Sequence, residues 1–244
     1  MSLALLRHWE SLDDAINSCY PMGHWPITET SGTTIKDASG FFRNGIASGT
    51  LTLNNLIAPD GRPAALFGGG HIEIADNAAF SVESVLGFTV GALVKFDAAP
   101  TGRMFILTKG GLSSNNYEWS LNGSATGQFG LTTHTSPGGT ISARTTTAAA
   151  VSTAWTLLIG RVQDRAVSSR IDLYQDSNTA QAGTDATTSS GYTDTASPVR
   201  IGARTDNATF VMAGYIRNAF IVQEAISPGS VNRIVAACRR EGWF

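Results

Sequence analysis

Residues 87–96 read Gly-Phe-Thr-Val-Gly-Ala-Leu-Val-Lys-Phe, and this stretch decides the fold. Successive side chains of a strand point to opposite sides, so the stretch divides into two faces. Residues with β-branched and aromatic side chains suit a pleated, half-buried surface. The stretch therefore predicts a central strand of an all-β protein, a two-sheet antiparallel sandwich. The face predicted to point inward carries Phe88, Val90, Ala92, Val94 and Phe96.

Composition limits the classes of function. The chain has 244 residues, of which 15% are charged, and a net charge of -2. A general nucleic-acid binder needs a basic surface, so we expect no nucleic-acid partner. No apolar run is long enough to span a membrane. Residues 1–10 lack the basic start and apolar core of a secretory signal, which predicts a protein that acts where it is made or leaves the cell inside a particle.

The segment 1–22 is predicted to be an N-terminal helix ahead of a sandwich domain over residues 23–244. Its apolar residues recur at steps of four and three, which draws one stripe along a helix. Two roles are open: the stripe packs on its own sandwich, or it docks on a partner or on copies of itself. The residues of this predicted docking helix are Leu5, Trp9, Leu12 and Ile16.

The C-terminal end is also predicted to be helical. Ser227 can cap a helix that begins at Pro228. Trp243 and Phe244 follow it, either to cover an edge of the core or to insert into a neighbouring molecule. The two cysteines, Cys19 and Cys238, lie near opposite ends of the chain. We expect reduced thiols rather than a bridge, because assembly in a cytoplasm disfavours disulfides.

Short motifs after the first helix resemble a known family. A strand with Trp25 is followed by the turn 31–34, the loop Asp37-Ala38-Ser39-Gly40 and the turn Asn44-Gly45. This order resembles the opening of concanavalin A-like, laminin-G-type domains, and similar pieces continue to about residue 236. The resemblance implies a jelly-roll sandwich. A fold of this kind hosts many functions, so the function must be argued from residues.

No catalytic motif is apparent in the sequence. The chain has no Gly-x-Ser-x-Gly turn and no Cys-x-x-Cys pair. Glycosidases need two carboxylates on one face, whereas Glu73 and Asp76 are oddly spaced and fall on opposite faces. The Glu-x-Asp-x-x-Glu pattern of similar hydrolases is absent. We therefore expect a protein that is not an enzyme.

The resemblance raises one cofactor, a structural calcium ion at the rim of the sandwich. Asp37 and Asn44 stand where the relatives carry a turn ligand, and oxygen ligands suit calcium. The relatives' late Gly-x-Ile-Asp stretch reads Gly-Tyr-Ile-Arg here, with Arg217 in place of the acid. The alternative is that Asp37 and Asn44 cap local turns without a metal, in which case no cofactor is expected.

Two functions follow from the resemblance and the composition. The first is a structural or attachment protein of a phage-like virion, such as a decoration, spike or fibre. Such a protein would form homo-oligomers, contact other virion proteins and bind a glycan on the host surface. The second is a soluble carbohydrate-binding module. The candidate glycan contacts are Asn115, Asn116, Tyr117, Trp119 and Tyr192, with a core role as the alternative for Tyr117 and Trp119.

Overall fold

A computed structural model describes most of the chain. Within the described residues, fifteen strands form two antiparallel sheets, which confirms the predicted two-sheet sandwich. Two α-helices accompany the sheets. The described ranges are 10–81, 87–97, 102–110, 117–124, 128–136, 139–144, 154–163, 171–181, 196–204 and 211–244.

The first sheet has seven strands and is built around the stretch that decides the fold. Its strands are β1 (Gly23–Trp25), β4 (Leu51–Ile57), β5 (Pro63–Gly68), β7 (Phe88–Phe96), β12 (Thr156–Val162), β13 (Ile171–Gln175) and β15 (Ala213–Val222). Their order is β13-β12-β7-β15-β5-β4, and β1 also pairs with β15. The strand β7 is therefore central, as predicted.

The second sheet has eight strands and lies against the first. Its strands are β2 (Thr34–Ile35), β3 (Gly45–Ser48), β6 (His71–Ile74), β8 (Met104–Gly110), β9 (Tyr117–Gly123), β10 (Phe129–Ser136), β11 (Gly139–Arg144) and β14 (Val199–Ile201). Their order is β11-β10-β9-β8-β14-β6-β3-β2. In both sheets, many neighbouring strands are far apart in the sequence. The two sheets pack face to face to form the sandwich.

The core between the sheets confirms the predicted inward face of β7. All five side chains of that face are buried there, together with Trp25 and Trp119. The other face of β7 is buried as well, because Leu93 lies in a second core on the outer side of the first sheet. Gly91 is needed on that side, since a Cβ atom there would lie 2.4 Å from the ring of Phe220.

Two helices cover this second core. Helix α1 (Leu12–Asn17) packs on helix α2 (Pro228–Arg240) over the outer face of the first sheet. The N-cap Ser227 accepts a hydrogen bond from the backbone nitrogen of Ser230, as the sequence predicted. Neither helix is long and apolar enough to cross a membrane, among the residues that the structure describes.

The docking prediction needs correction for the part of the first helix that is described. Leu12 and Ile16 are fully buried in the core shared with α2. They pack on their own domain, so their side chains cannot also dock on a partner. The helix is also shorter than predicted. Leu5 and Trp9 lie outside the described residues.

The chain's C-terminal aromatics and its cysteines have separate environments. Trp243 is buried and meets the edge of Trp155, with ring centroids 5.0 Å apart. Phe244 stays 38% exposed. Trp243 therefore covers an edge of the core. Cys19 and Cys238 are both buried and both free, in line with the expected thiols.

A buried polar cluster joins α1 to β1. His24 is fully buried, and its Nδ1 donates to Asn17 Oδ1 at 3.0 Å. Its Nε2 faces Asp13 Oδ1 at 3.7 Å, and neither atom has a hydrogen-bond partner among the described residues. Burial lowers the pKa of His24 to about 4, although Asp13 and Asp37 favour the charged form. The histidine is thus held neutral beneath the helix.

We predict that His24 makes the domain sensitive to acid. The folded state binds fewer protons than the unfolded chain between the ordinary pKa of 6.5 and the folded value of about 4. Stability is therefore fully present above this window and falls as the pH drops through it, by about 3 kcal/mol in all. Urea unfolding at neutral pH and at about pH 4.5 measures the loss.

The matched variant for this prediction is His24→Gln, which keeps an amide for Asn17 but does not titrate. Its stability should depend less on pH than that of the wild type. Burial raises the pKa of Asp176 to about 6, which changes stability in the opposite direction over the same window. That contribution is common to both proteins and cancels in the comparison. Equal slopes for the two proteins would contradict the role of His24.

Candidate functional site: an aromatic rim

One carboxylate organises the loop between β2 and β3. Asp37 is buried, and its Oδ1 accepts from the backbone nitrogens of His24 and Ser39 at 3.0 and 2.9 Å. Its Oδ2 accepts from Ser39 Oγ at 2.8 Å and from the backbone nitrogen of Arg43 at 2.9 Å. The far end of the loop is held by buried Trp25, whose Nε1 donates to the carbonyl of Arg43 at 2.9 Å. These bonds fix the loop from both sides.

This geometry does not fit the calcium prediction for Asp37 and Asn44. Both carboxylate oxygens of Asp37 already face hydrogen donors, and Asn44 Oδ1 accepts from the backbone nitrogen of Asp37 at 2.9 Å. Calcium needs oxygen lone pairs that converge on one point. The two residues cap the turn instead, which was the alternative reading. The described part of the chain holds no cluster of three acidic, histidine or cysteine side chains arranged for a metal.

The fixed loop presents aromatic side chains to solvent. Phe42 is 82% exposed and Phe41 is 50% exposed. Tyr20, just before β1, is 80% exposed. Phe42 and Tyr20 also have positive φ angles, of 58° and 53°. This conformation costs an L-residue roughly 1–2 kcal/mol, and exposed rings return little of it through burial.

Arg43 connects these aromatics. Its Nη1 donates to the carbonyl oxygen of Met22, two residues after Tyr20. Its guanidinium carbon lies 4.5 Å from the ring centre of Phe41 and 5.4 Å from that of Phe80. The guanidinium therefore lies close to two rings, one from the exposed loop and one from the buried Phe80. We call Tyr20, Phe41, Phe42 and Arg43 the aromatic rim.

The predicted glycan contacts do not form a site in the described residues. Trp119 is fully buried, and its Nε1 donates to the carbonyl of Phe80 at 2.9 Å. The glycan prediction for Trp119 is therefore wrong, because a ring inside the core cannot stack on a ligand. Tyr117 is the first residue of β9, but its side chain is not among those that the structure describes. Asn115, Asn116 and Tyr192 also lie outside the described residues.

Carboxylates on and beside the second sheet are paired with cations. Lys109 is fully buried, and its Nζ lies 2.7 Å from Asp76 Oδ1 and 3.5 Å from Glu118 Oε2. The ammonium group takes the space between the two carboxylates, where a glycosidic bond would have to lie for them to act as a pair. Glu73 is paired separately, with Arg200 at 2.7 Å.

The aromatic rim was not predicted from the sequence, although one feature of the sequence pointed to exposed rings. Phe41 and Phe42 are adjacent, and they lie in a segment bounded by Gly40 and by Asn44-Gly45. Two adjacent aromatic residues in a turn cannot both point into one core. At least one exposed ring was therefore foreseeable. The hydrogen bond from Arg43 to the carbonyl oxygen of Met22, which links the loop to the segment after Tyr20, was not, because it depends on how β1 enters the sheet.

The fold is similar to several solved structures. The fourth domain of the extracellular arabinanase AbnA from Geobacillus stearothermophilus, solved with arabinotriose, has a TM-score of 0.64 and 18% identity over 88% of this chain and 98% of that one. The binding domain of Paraclostridial Mosquitocidal Protein 1 has a TM-score of 0.68 and 13% identity over 92% of this chain. The binding domain of botulinum neurotoxin DC, solved with rat synaptotagmin II, has a TM-score of 0.63 and 12% identity over 91% of this chain.

These likenesses concern the fold, because the sequences are so distant. This chain spans 52% of each of the two toxin binding domains. No curated protein matches it in sequence. Residues 60–232, well over half of the chain, match the family described as the concanavalin A-like lectin/glucanases superfamily. The resemblance seen in the sequence motifs is thereby confirmed, and the chain belongs to this family.

Proposed function

We propose that the chain is a non-catalytic recognition module that binds a glycan through the aromatic rim. The observation that carries the proposal is the exposure of Phe42 and Tyr20, at 82% and 80%, on backbone that is held in a costly conformation. Strain of this kind is retained where the surrounding structure enforces it, and it is concentrated at functional sites. For Phe42 the hydrogen bonds of Asp37 provide that enforcement, and Tyr20 follows the end of α1, where its backbone nitrogen donates to the carbonyl of Asn17.

Aromatic rings on a fixed loop suit the C–H face of a sugar. Phenylalanine and tyrosine offer large, rigid surfaces at a low cost in conformational entropy. A loop that is already ordered loses little freedom when it binds. The solved arabinanase domain, which is similar in fold and was crystallised with arabinotriose, supports a carbohydrate as the ligand class.

The wider setting that we propose is attachment in a phage-like virion, as a decoration, spike or fibre. The low share of charged residues and the rigid sandwich with its contact residues at one rim support this setting. A soluble carbohydrate-binding module is the alternative. Molar mass by light scattering, alone and with candidate virion proteins, separates them. A monomer that joins no assembly but binds glycan would favour the alternative.

Glycan binding is tested by removing the exposed rings. An array of neutral and acidic oligosaccharides identifies a ligand for the wild type, and calorimetry then gives its dissociation constant. We expect Phe42→Ala and Tyr20→Ala each to weaken binding about 10-fold, the equivalent of one lost stacking contact. Their melting temperatures should match the wild type, because both side chains lie almost entirely in solvent.

The matched control is Ile46→Ala. Ile46 is 52% exposed on β3, so it tests the loss of an exposed apolar side chain that is not one of the rim residues. Its affinity should equal that of the wild type. Unchanged affinity in both Phe42→Ala and Tyr20→Ala would reject the aromatic rim as the binding surface.

A further inference from the structure

We infer from the geometry of Arg43 that the aromatic rim selects a sugar that carries a carboxylate, such as a uronic or sialic acid. The inference rests on the proposed glycan-binding function and names the ligand class for that site. The exposed rings would contact the sugar ring, and the Arg43 guanidinium would bind its carboxylate.

Arg43 has hydrogen-bond donors to spare. A guanidinium carries five N–H donors in one plane. The described residues accept only one hydrogen bond from this side chain, at the carbonyl of Met22. The other nitrogens are not among the buried polar atoms that lack a partner, so solvent reaches them. A ligand can therefore reach them too.

The charge of Arg43 also lacks a partner within the described part of the protein. The nearest acidic residue in its loop, Asp37, accepts from the backbone nitrogen of Arg43 and not from its guanidinium. Other arginines in the sandwich are paired: Arg217 with Asp60, and Arg161 with Asp172, at 2.8 and 2.7 Å. Arg43 differs from these two in having no carboxylate of the described residues within 4.0 Å of its nitrogens.

The two rings prepare this guanidinium for a carboxylate. The ring centres of Phe41 and Phe80 lie 4.5 and 5.4 Å from its carbon, so the two rings partly shield the cation from water. The edge that carries the N–H groups is the part left for a ligand. A planar guanidinium binds a carboxylate through two parallel hydrogen bonds, and this pairing strengthens when the cation is partly desolvated. A neutral sugar cannot make this pairing.

The test compares sugars that differ only in the carboxylate. The probes are trigalacturonic acid with its carboxyl-reduced counterpart, and sialyllactose with the neutral methyl ester of its carboxyl group. For the wild type we expect one acidic probe to bind at least about 10-fold more tightly than its neutral match. The preference should shrink as salt is added. Equal affinity for the acidic and neutral members of both pairs would overturn the inference.

The variant Arg43→Gln assigns the preference to one residue. We expect this variant to bind the acidic and neutral members of a pair with equal affinity, so that the preference is lost. Arg43→Lys, which keeps the charge without the planar fork, should keep only part of the preference. Arg233→Gln, at an exposed arginine on α2, is the matched control and should change nothing. A full preference retained in a folded Arg43→Gln protein would overturn the inference.

The outcomes separate the inference from the function beneath it. Binding of neutral sugars that depends on Phe42, without an acidic preference, would support glycan binding and reject the acidic ligand. No binding to any sugar would reject both. Vesicles of phosphatidylcholine with phosphatidylserine, free of sugar, test an anionic membrane as the source of the negative charge. Binding to them that requires both Phe42 and Arg43 would overturn the inference in favour of a lipid surface.

Discussion

Replacing Arg217 with methionine is expected to lower the free energy of unfolding by about 3–5 kcal/mol. Arg217 is fully buried, and its Nη2 donates to Asp60 Oδ2 at 2.8 Å. Its Nε and Nη1 donate to the carbonyls of Pro26 and Pro63 at 2.8 and 3.0 Å. Methionine fills a similar volume but leaves the carboxylate and both carbonyls without these donors. Urea unfolding at neutral pH measures the loss.

In this variant Asp60 keeps Arg62 Nε at 2.8 Å but loses the fully buried guanidinium, and a second substitution tests how much of the cost comes from this carboxylate. Asp60 is itself nearly buried, and its pKa is lowered by Arg217 and Arg62 against the opposing effect of burial. In the double variant Arg217→Met/Asp60→Leu no buried charge is left there, so part of the stability should return. A single variant that loses less than about 1 kcal/mol, or a double variant less stable than the single, would contradict this explanation.

Arg217 also bears on why Asp37 and Asn44 do not fit a calcium ion. The resemblance implied an acid at this position, as a ligand for a rim calcium ion. This chain carries a cation there, and the guanidinium satisfies Asp60 without a metal. The sequence showed that a cation replaces the acid at this position. It could not show which carboxylate this cation would pair with. Asp60 comes from a turn 157 residues away in sequence.

The strand 88–96 was predictable because its period of two is local. Each side chain's face follows from its position alone, so the inward set of residues was correct. That the opposite face would also be buried did not follow, since it depends on α1 and α2 packing on it. The prediction that Trp119 contacts a glycan was wrong for a related reason. An aromatic residue on a strand fits either the core or a ligand platform, and its neighbours across the sandwich decide.

Asp37→Ala is expected to remove both stability and recognition. The substitution deletes four hydrogen bonds to a buried, charged acceptor, from the backbone of His24, Ser39 and Arg43 and from Ser39 Oγ. Hydrogen bonds to charged groups contribute about 1.5–3 kcal/mol each and are not additive, so we expect a loss of about 3 kcal/mol in all. Chemical unfolding measures it.

The same change should abolish glycan binding at temperatures where the protein remains folded. Without Asp37, only the far end of the loop is still held, by Trp25 Nε1, so the loop can relax from the positive φ of Phe42 and the rings no longer keep one arrangement. Ser39→Ala is the control, since it deletes only the Oγ bond and should retain most of the affinity. Asp37→Asn should fall between them, because its amide nitrogen faces the Arg43 backbone N–H in place of an acceptor. If folded Asp37→Ala bound glycan as tightly as the wild type, a preorganised loop would not be the basis of recognition.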